Sequence, residues 1–191
     1  MITGGGSVAY CSPTGTCHTA SSNNRLKYPN GLSKGTDGLI YVPSTADGTV
    51  KVFSLQHDKT LKLQHNIRTG IPLDNISPDA NGDLYAAAFP IAMKTRKGMA
   101  DPYGETSPST VIRIRKTVAN EFDGEAQYVV EKVIEDKEGE IISGATTVRH
   151  DVKTGRLFIG GGYPLCCQKM SANVHSGGTS VFGGLRSEMR L

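Results

Sequence analysis

The chain has 191 residues and a formal net charge of +3. That length suits one domain with a sizeable core, or a piece of a larger one. Its basic residues are scattered without an aromatic platform among them, which speaks against nucleic-acid binding. No apolar run approaches the roughly 20 residues of a membrane span. Met1-Ile2-Thr3-Gly4-Gly5-Gly6 lacks the charged start and apolar stretch of a secretory leader. Neither a span nor a leader is therefore expected, and the compartment stays open.

The first predicted strand, 7–11, leads into Ser12-Pro13-Thr14-Gly15-Thr16, a tight turn flanked by Cys11 and Cys17. A disulfide across that hairpin is sterically reasonable and would favour an oxidising compartment. Two reduced thiols fit the residues equally. A zinc site from Cys11, Cys17 and His18 lacks Cys-x-x-Cys spacing and is the weaker reading. Further strands are predicted at 38–42, 49–55, 61–67, 83–89, 110–116, 125–135, 140–148 and 156–160. Most carry β-branched and aromatic residues at a period near two, as in Lys51-Val52-Phe53-Ser54-Leu55. Turn chemistry such as Ala46-Asp47-Gly48 and Asn81-Gly82-Asp83 separates them.

Between 93 and 109 a long polar stretch with Pro and Gly is predicted as a loop, a length at which loops commonly carry function. After Pro164 the alternation ends. Cys166 and Cys167 cannot easily bridge each other and read as free thiols, and 164–191 reads as a divergent, unstructured tail. No segment shows a capped amphipathic helix, so the fold class is all-β. Three stretches share one grammar: Gly38-Leu39-Ile40-Tyr41-Val42, Gly82-Asp83-Leu84-Tyr85-Ala86 and Gly155-Arg156-Leu157-Phe158-Ile159. A unit that recurs every several tens of residues suggests the blades of a β-propeller, with a β-sandwich as the competing architecture.

Asp74-Asn75-Ile76-Ser77 sets an acid beside an amide just before a turn rich in Pro, Asp and Gly. Together with Tyr28-Pro29-Asn30-Gly31-Leu32 it reads as half of a calcium site, because calcium takes six to eight hard oxygens without strict geometry. Neighbouring residues on a strand point to opposite faces, so Asp74 and Asn75 can both ligate only at a strand end or a bulge. The plainer reading has Asp74 and Asn75 capping a turn and Asn30 in a left-handed conformation before Gly31.

These two motifs continue in order through Asp83-Leu84-Tyr85-Ala86-Ala87-Ala88-Phe89-Pro90, Ser107-Pro108-Ser109-Thr110-Val111-Ile112-Arg113-Ile114, Ser143-Gly144-Ala145-Thr146-Thr147-Val148 and Arg156-Leu157-Phe158-Ile159-Gly160-Gly161. Over roughly residues 4–163 the chain so resembles the serum paraoxonase/arylesterase family, and most of all its fungal arylesterase-like members. The resemblance implies a six-bladed, calcium-dependent propeller related to gluconolactonases and strictosidine synthases. It implies Asn30, Asp74 and Asn75 as calcium ligands and hydrolysis of a small carboxylic ester or lactone, with Ca2+ as Lewis acid. Phe89 stands where some members carry a pocket-wall histidine, which implies an apolar wall; an ordinary core aromatic fits the residue equally. The family is often secreted or membrane-associated.

The family's remaining calcium ligands and its water-activating histidine pair correspond to a half that would precede Met1. None of His18, His57, His65, His150 and His175 falls in an equivalent motif. His57 and His65 read as exposed strand-end residues, and His150 as preceding a turn. The expectation is therefore an incomplete ring of about three to four C-terminal blades over 1–163, with weak calcium affinity. Its open strand edges would invite self-association. The alternative function is a non-catalytic propeller binding module. A strictosidine-synthase-like condensation needs no metal, and the Asp74-Asn75 pair argues against it.

Overall fold

The computed structural model describes residues 5–21, 26–117 and 127–162. The expected tail, 164–191, with Cys166, Cys167 and His175, lies outside the described residues. Twelve strands are described: β1 (Ala9–Cys11), β2 (Cys17–Thr19), β3 (Ser33–Lys34), β4 (Ile40–Ser44), β5 (Thr49–Leu55), β6 (Leu61–Arg68), β7 (Leu73–Pro78), β8 (Leu84–Ala88), β9 (Ser109–Thr117), β10 (Gln127–Asp136), β11 (Ala145–Asp151) and β12 (Arg156–Gly161). β3–β6 and β7–β10 each form a four-stranded antiparallel meander, and β1–β2 and β11–β12 form two hairpins. None of these sheets closes on itself.

The sheets stack face to face, and period-two alternation decides which side chain enters which interface. Leu84, Ala86 and Ala88 of β8 join Ile112 and Ile114 of β9 against Tyr41, Val50, Val52 and Ile67 of the first meander. Tyr85 and Val111 point the other way, into a second core with Ile134, Ile142, Val148 and Leu157. The second meander is thus buried on both faces, which explains why β8 is buried at every position. A two-layer sandwich does not place one sheet between two others, whereas successive propeller blades do. The all-β architecture is consistent with part of a β-propeller. β7 packs on β3 and β4 to one side and on β11 to the other.

Three local expectations are corrected. The expected loop at 93–109 contains an α-helix, α1 (Ala92–Ala100), which no side-chain cap hydrogen bond begins. Packing holds it instead: Thr95 and Gly98 are buried, and the Ser107 hydroxyl donates to Thr95 Oγ1 at 3.0 Å. The strand expected from 140 begins only at Ala145, because the Asp136 carboxylate accepts the N–H groups of Gly139, Ile141 and Ile142 at 2.7–2.9 Å and keeps them in a turn. His65 lies inside β6, half-buried with its ring 5.5 Å from that of Tyr128, rather than at an exposed strand end.

A polar knot ties the two meanders together. Lys116 Nζ and the Tyr41 hydroxyl both donate to Asp37 Oδ2 at 2.9 Å, and Tyr41 lies 3.4 Å from the Tyr128 hydroxyl. Burial works to raise the Asp37 pKa, but hydrogen bonds from Lys116, Tyr41 and the Leu39 backbone outweigh it and hold the carboxyl below its usual range. A depressed carboxylate contributes stability that is present above its unfolded value and lost as pH falls through the folded one. Lys116→Met is therefore expected to cost about 0.5–1 kcal/mol at neutral pH, since the pair is partly exposed, and far less near pH 3. Urea unfolding at the two pH values measures the difference.

Candidate metal centre

Asp74 and Asn75 open β7, and the pairing with β8 is irregular there. Leu73 faces Ala88 and Ile76 faces Ala86, so Asp74 and Asn75 together oppose Ala87 in a bulge. A bulge turns two sequential side chains toward one side, and Asn75 Nδ2 donates to Asp74 Oδ1 at 3.0 Å. The pair therefore sits within a strand rather than capping a turn.

The segment around Asn30 arrives along the end of β4. Asn30 N–H donates to the Pro43 carbonyl at 3.0 Å, and Thr45 N–H to the Tyr28 carbonyl at 3.0 Å. Tyr28 and Gly31 adopt left-handed backbone angles, with φ of 59° and 60°; Asn30 does not, contrary to the plainer sequence reading. Gly31 lies flush on Asn75: a Cβ there would stand 2.6 Å from Asn75 Oδ1 and 3.1 Å from its Cα. The Asn30 side chain comes close enough to the Asp74 carboxylate to oppose the rise in its pKa. Two segments more than 40 residues apart are thus side by side: Asn75 donates to Asp74, Gly31 lies on Asn75, and Asn30 acts on the Asp74 carboxyl.

Asp74 is only 7% exposed. Burial pushes its carboxyl pKa up to about 6, against the opposing effect of Asn30. No basic side chain among the described residues forms an ion pair with it. Neutral amides are its side-chain partners, so the charge is solvated without being neutralised. A hard divalent cation fits such a donor set: one desolvated carboxylate and two amides, all oxygen ligands. Three oxygens are fewer than calcium's six to eight, and the rest would come from water, substrate or other residues. Among the described residues no three His, Cys, Asp or Glu converge as a metal cluster.

Beside these residues opens a cavity of about 210 Å³ lined by Phe89, Met99, Pro102, Gly144, Thr146 and Gly162. Thr146 joins it to the triad, because its carbonyl accepts Asn75 Nδ2 at 2.8 Å. Phe89 is buried and anchored by its N–H to the Pro72 carbonyl at 2.9 Å, just ahead of Asp74. The lining carries no charged group.

A protein-family model described as Arylesterase matches residues 3–168. The chain belongs to the arylesterase family. No curated protein matches it.

In this arylesterase-family chain the described histidines are placed elsewhere. His18 packs on Tyr10, His65 on Tyr128 and His150 on Tyr85, while His57 lies exposed in the β5–β6 turn. Cys11 and Cys17 face each other across the β1–β2 hairpin and form a disulfide, which removes them as zinc ligands. Among the described residues no helix is long and apolar enough to cross a membrane. Sequence reasoning missed Met99 and Pro102, which reach the cavity through the unforeseen helix. It also missed Thr146, whose role is a backbone carbonyl and leaves no side-chain signal.

Proposed function

We propose that the chain hydrolyses small carboxylic esters or lactones with a calcium ion held by Asn30, Asp74 and Asn75. What supports this reading is the approach of the Asn30-Gly31 segment to the paired Asp74 and Asn75 beside an uncharged cavity, in a chain of the arylesterase family. When bound, calcium would supply a Lewis acid for the substrate carbonyl oxygen and the negative charge that develops on it. The chain's own part is positional. The β7 bulge presents Asp74 and Asn75 together, and Gly31 lets the Asn30 segment approach. Phe89, Met99 and Pro102 keep the adjoining wall apolar. A cavity of about 210 Å³ is below the roughly 300 Å³ at which drug-sized sites begin, which suits a small aryl or aliphatic ester.

On this reading the two meanders and two hairpins are parts of about three to four blades of a six-bladed ring, and their free strand edges allow self-association. A non-catalytic binding module is favoured by one observation: His18, His65 and His150 pack on tyrosines away from Asn30, Asp74 and Asn75, and His57 is exposed in a turn. Calorimetric calcium titration, with phenyl acetate hydrolysis measured with and without chelator, tests both. Calcium is expected to bind weakly, at roughly 10⁻⁴–10⁻³ M. Chelator-sensitive turnover supports the hydrolase, and calcium binding without turnover supports the module. Turnover indifferent to chelator, or no calcium binding at all, overturns the calcium assignment.

A further inference from the structure

We propose that Ser77, Asp79 and His150 position the Asn75 amide through a ladder of side-chain bonds between β7 and β11, a role that rests on Asn75 being a calcium ligand. β7 and β11 belong to different sheets. Side chains join them at every second residue: Asn75 Nδ2 donates to the Thr146 carbonyl at 2.8 Å, the Ser77 hydroxyl to the Val148 carbonyl at 2.6 Å, and His150 Nδ1 lies 2.7 Å from Asp79 Oδ2. The separation in sequence is 71 residues at each rung. The rungs share one register, and a one-residue slip of β11 would break all three.

The far rung is the rigid one. Asp79 Oδ1 accepts the N–H groups of Asn81 at 2.8 Å and Asp83 at 3.0 Å, which fixes the carboxylate. The Asp79 carboxylate accepts, so Nδ1–H of His150 donates. The imidazole also lies on the Tyr85 ring at 4.6 Å, and the His150 and Asp79 side chains are 10% and 1% exposed. At the near rung, Asn75 gives one amide hydrogen to Thr146 and the other to Asp74 Oδ1. With both hydrogens committed, Oδ1 has a single orientation, against Gly31. Four residues of strand, roughly 13 Å, separate the latch from the ligand. His150 therefore acts on the calcium site by holding the register of β11, without touching the ion.

The test compares His150→Phe, which keeps a ring on Tyr85 and removes the donor, with His150→Asn, which restores an N–H near the Nδ1 position. Lys116→Met serves as a control that loosens sheet packing elsewhere. The side-chain NH₂ signal of Asn75 is followed by ¹⁵N NMR and hydrogen exchange, with a parallel calcium titration. His150→Phe is expected to speed Asn75 amide exchange several-fold and to weaken calcium binding roughly tenfold, the scale seen when a partner of a metal ligand is removed. His150→Asn is expected to recover both. An unchanged Asn75 signal in His150→Phe, or an equal change in Lys116→Met, overturns the proposal. If the parent binds no calcium, the proposed function fails while the Asn75 signal still decides the ladder.

Discussion

Without calcium, at pH 8, the Asp74→Asn chain is expected to unfold at a higher temperature than the parent, and calcium is expected no longer to raise that temperature. The carboxyl pKa rises above its ordinary value to about 6 because burial penalises its charge. The folded state therefore holds the proton more tightly than the unfolded state does. Stability is then penalised above the folded pKa, and the penalty fades as pH falls toward 4. An amide carries no such charge, and the substitution should gain on the order of 1 kcal/mol at pH 8, where each tenfold in an ionisation constant is worth about 1.4 kcal/mol. The two chains should converge near pH 4. Calcium at about a hundred times its dissociation constant would add about 2.7 kcal/mol to the parent. Thermal unfolding at pH 8 and pH 4, with calcium and with chelator, measures all of this. A destabilised Asp74→Asn chain in chelator would mean that Asp74 serves folding rather than an ion.

Much of the strand framework was legible in the sequence. Lys51-Val52-Phe53-Ser54-Leu55 alternates cleanly, and β5 runs over the expected Thr49–Leu55. β7 was legible only as chemistry. Leu73-Asp74-Asn75-Ile76-Ser77-Pro78 combines an acid, an amide and a proline, the composition of a turn. It is a strand because β8 pairs with it through a bulge and β11 bonds its side chains from the neighbouring sheet. Helix α1 escaped for a related reason. It has no side-chain cap to announce it, and the buried Thr95 is held by Ser107, twelve residues further on. His150 read as a residue before a turn, yet its environment is made by Asp79 and Tyr85, 71 and 65 positions earlier. What sequence patterns conveyed was local alternation and a cluster of oxygen-bearing side chains. What they omitted was contact across sheets, and that is where the site acquires its geometry.

Gly31→Ala is expected to weaken calcium binding far more than it lowers stability, and Gly155→Ala separates the two effects. Both glycines have left-handed φ, 60° at Gly31 and 66° at Gly155. A non-glycine residue pays roughly 1–2 kcal/mol in that region whatever surrounds it. For a domain of this size that corresponds to a loss of about 2–8 °C in Tm. The surroundings differ. A Cβ at Gly155 meets nothing within 4 Å, whereas at Gly31 it meets Asn75 Oδ1 at 2.6 Å and Asn75 Cα at 3.1 Å. The Cα is strand backbone held by β8 and cannot retreat, so either the Asn75 amide turns away or the Asn30 segment lifts off. Each outcome separates Asn30 from Asn75 and leaves Asp74 without one of its partners. Similar falls in Tm for the two variants, with calcium binding lost only in Gly31→Ala, would locate the ion between the 30–31 segment and the β7 bulge. Unaltered calcium affinity in Gly31→Ala would place the ion somewhere other than against Asn75.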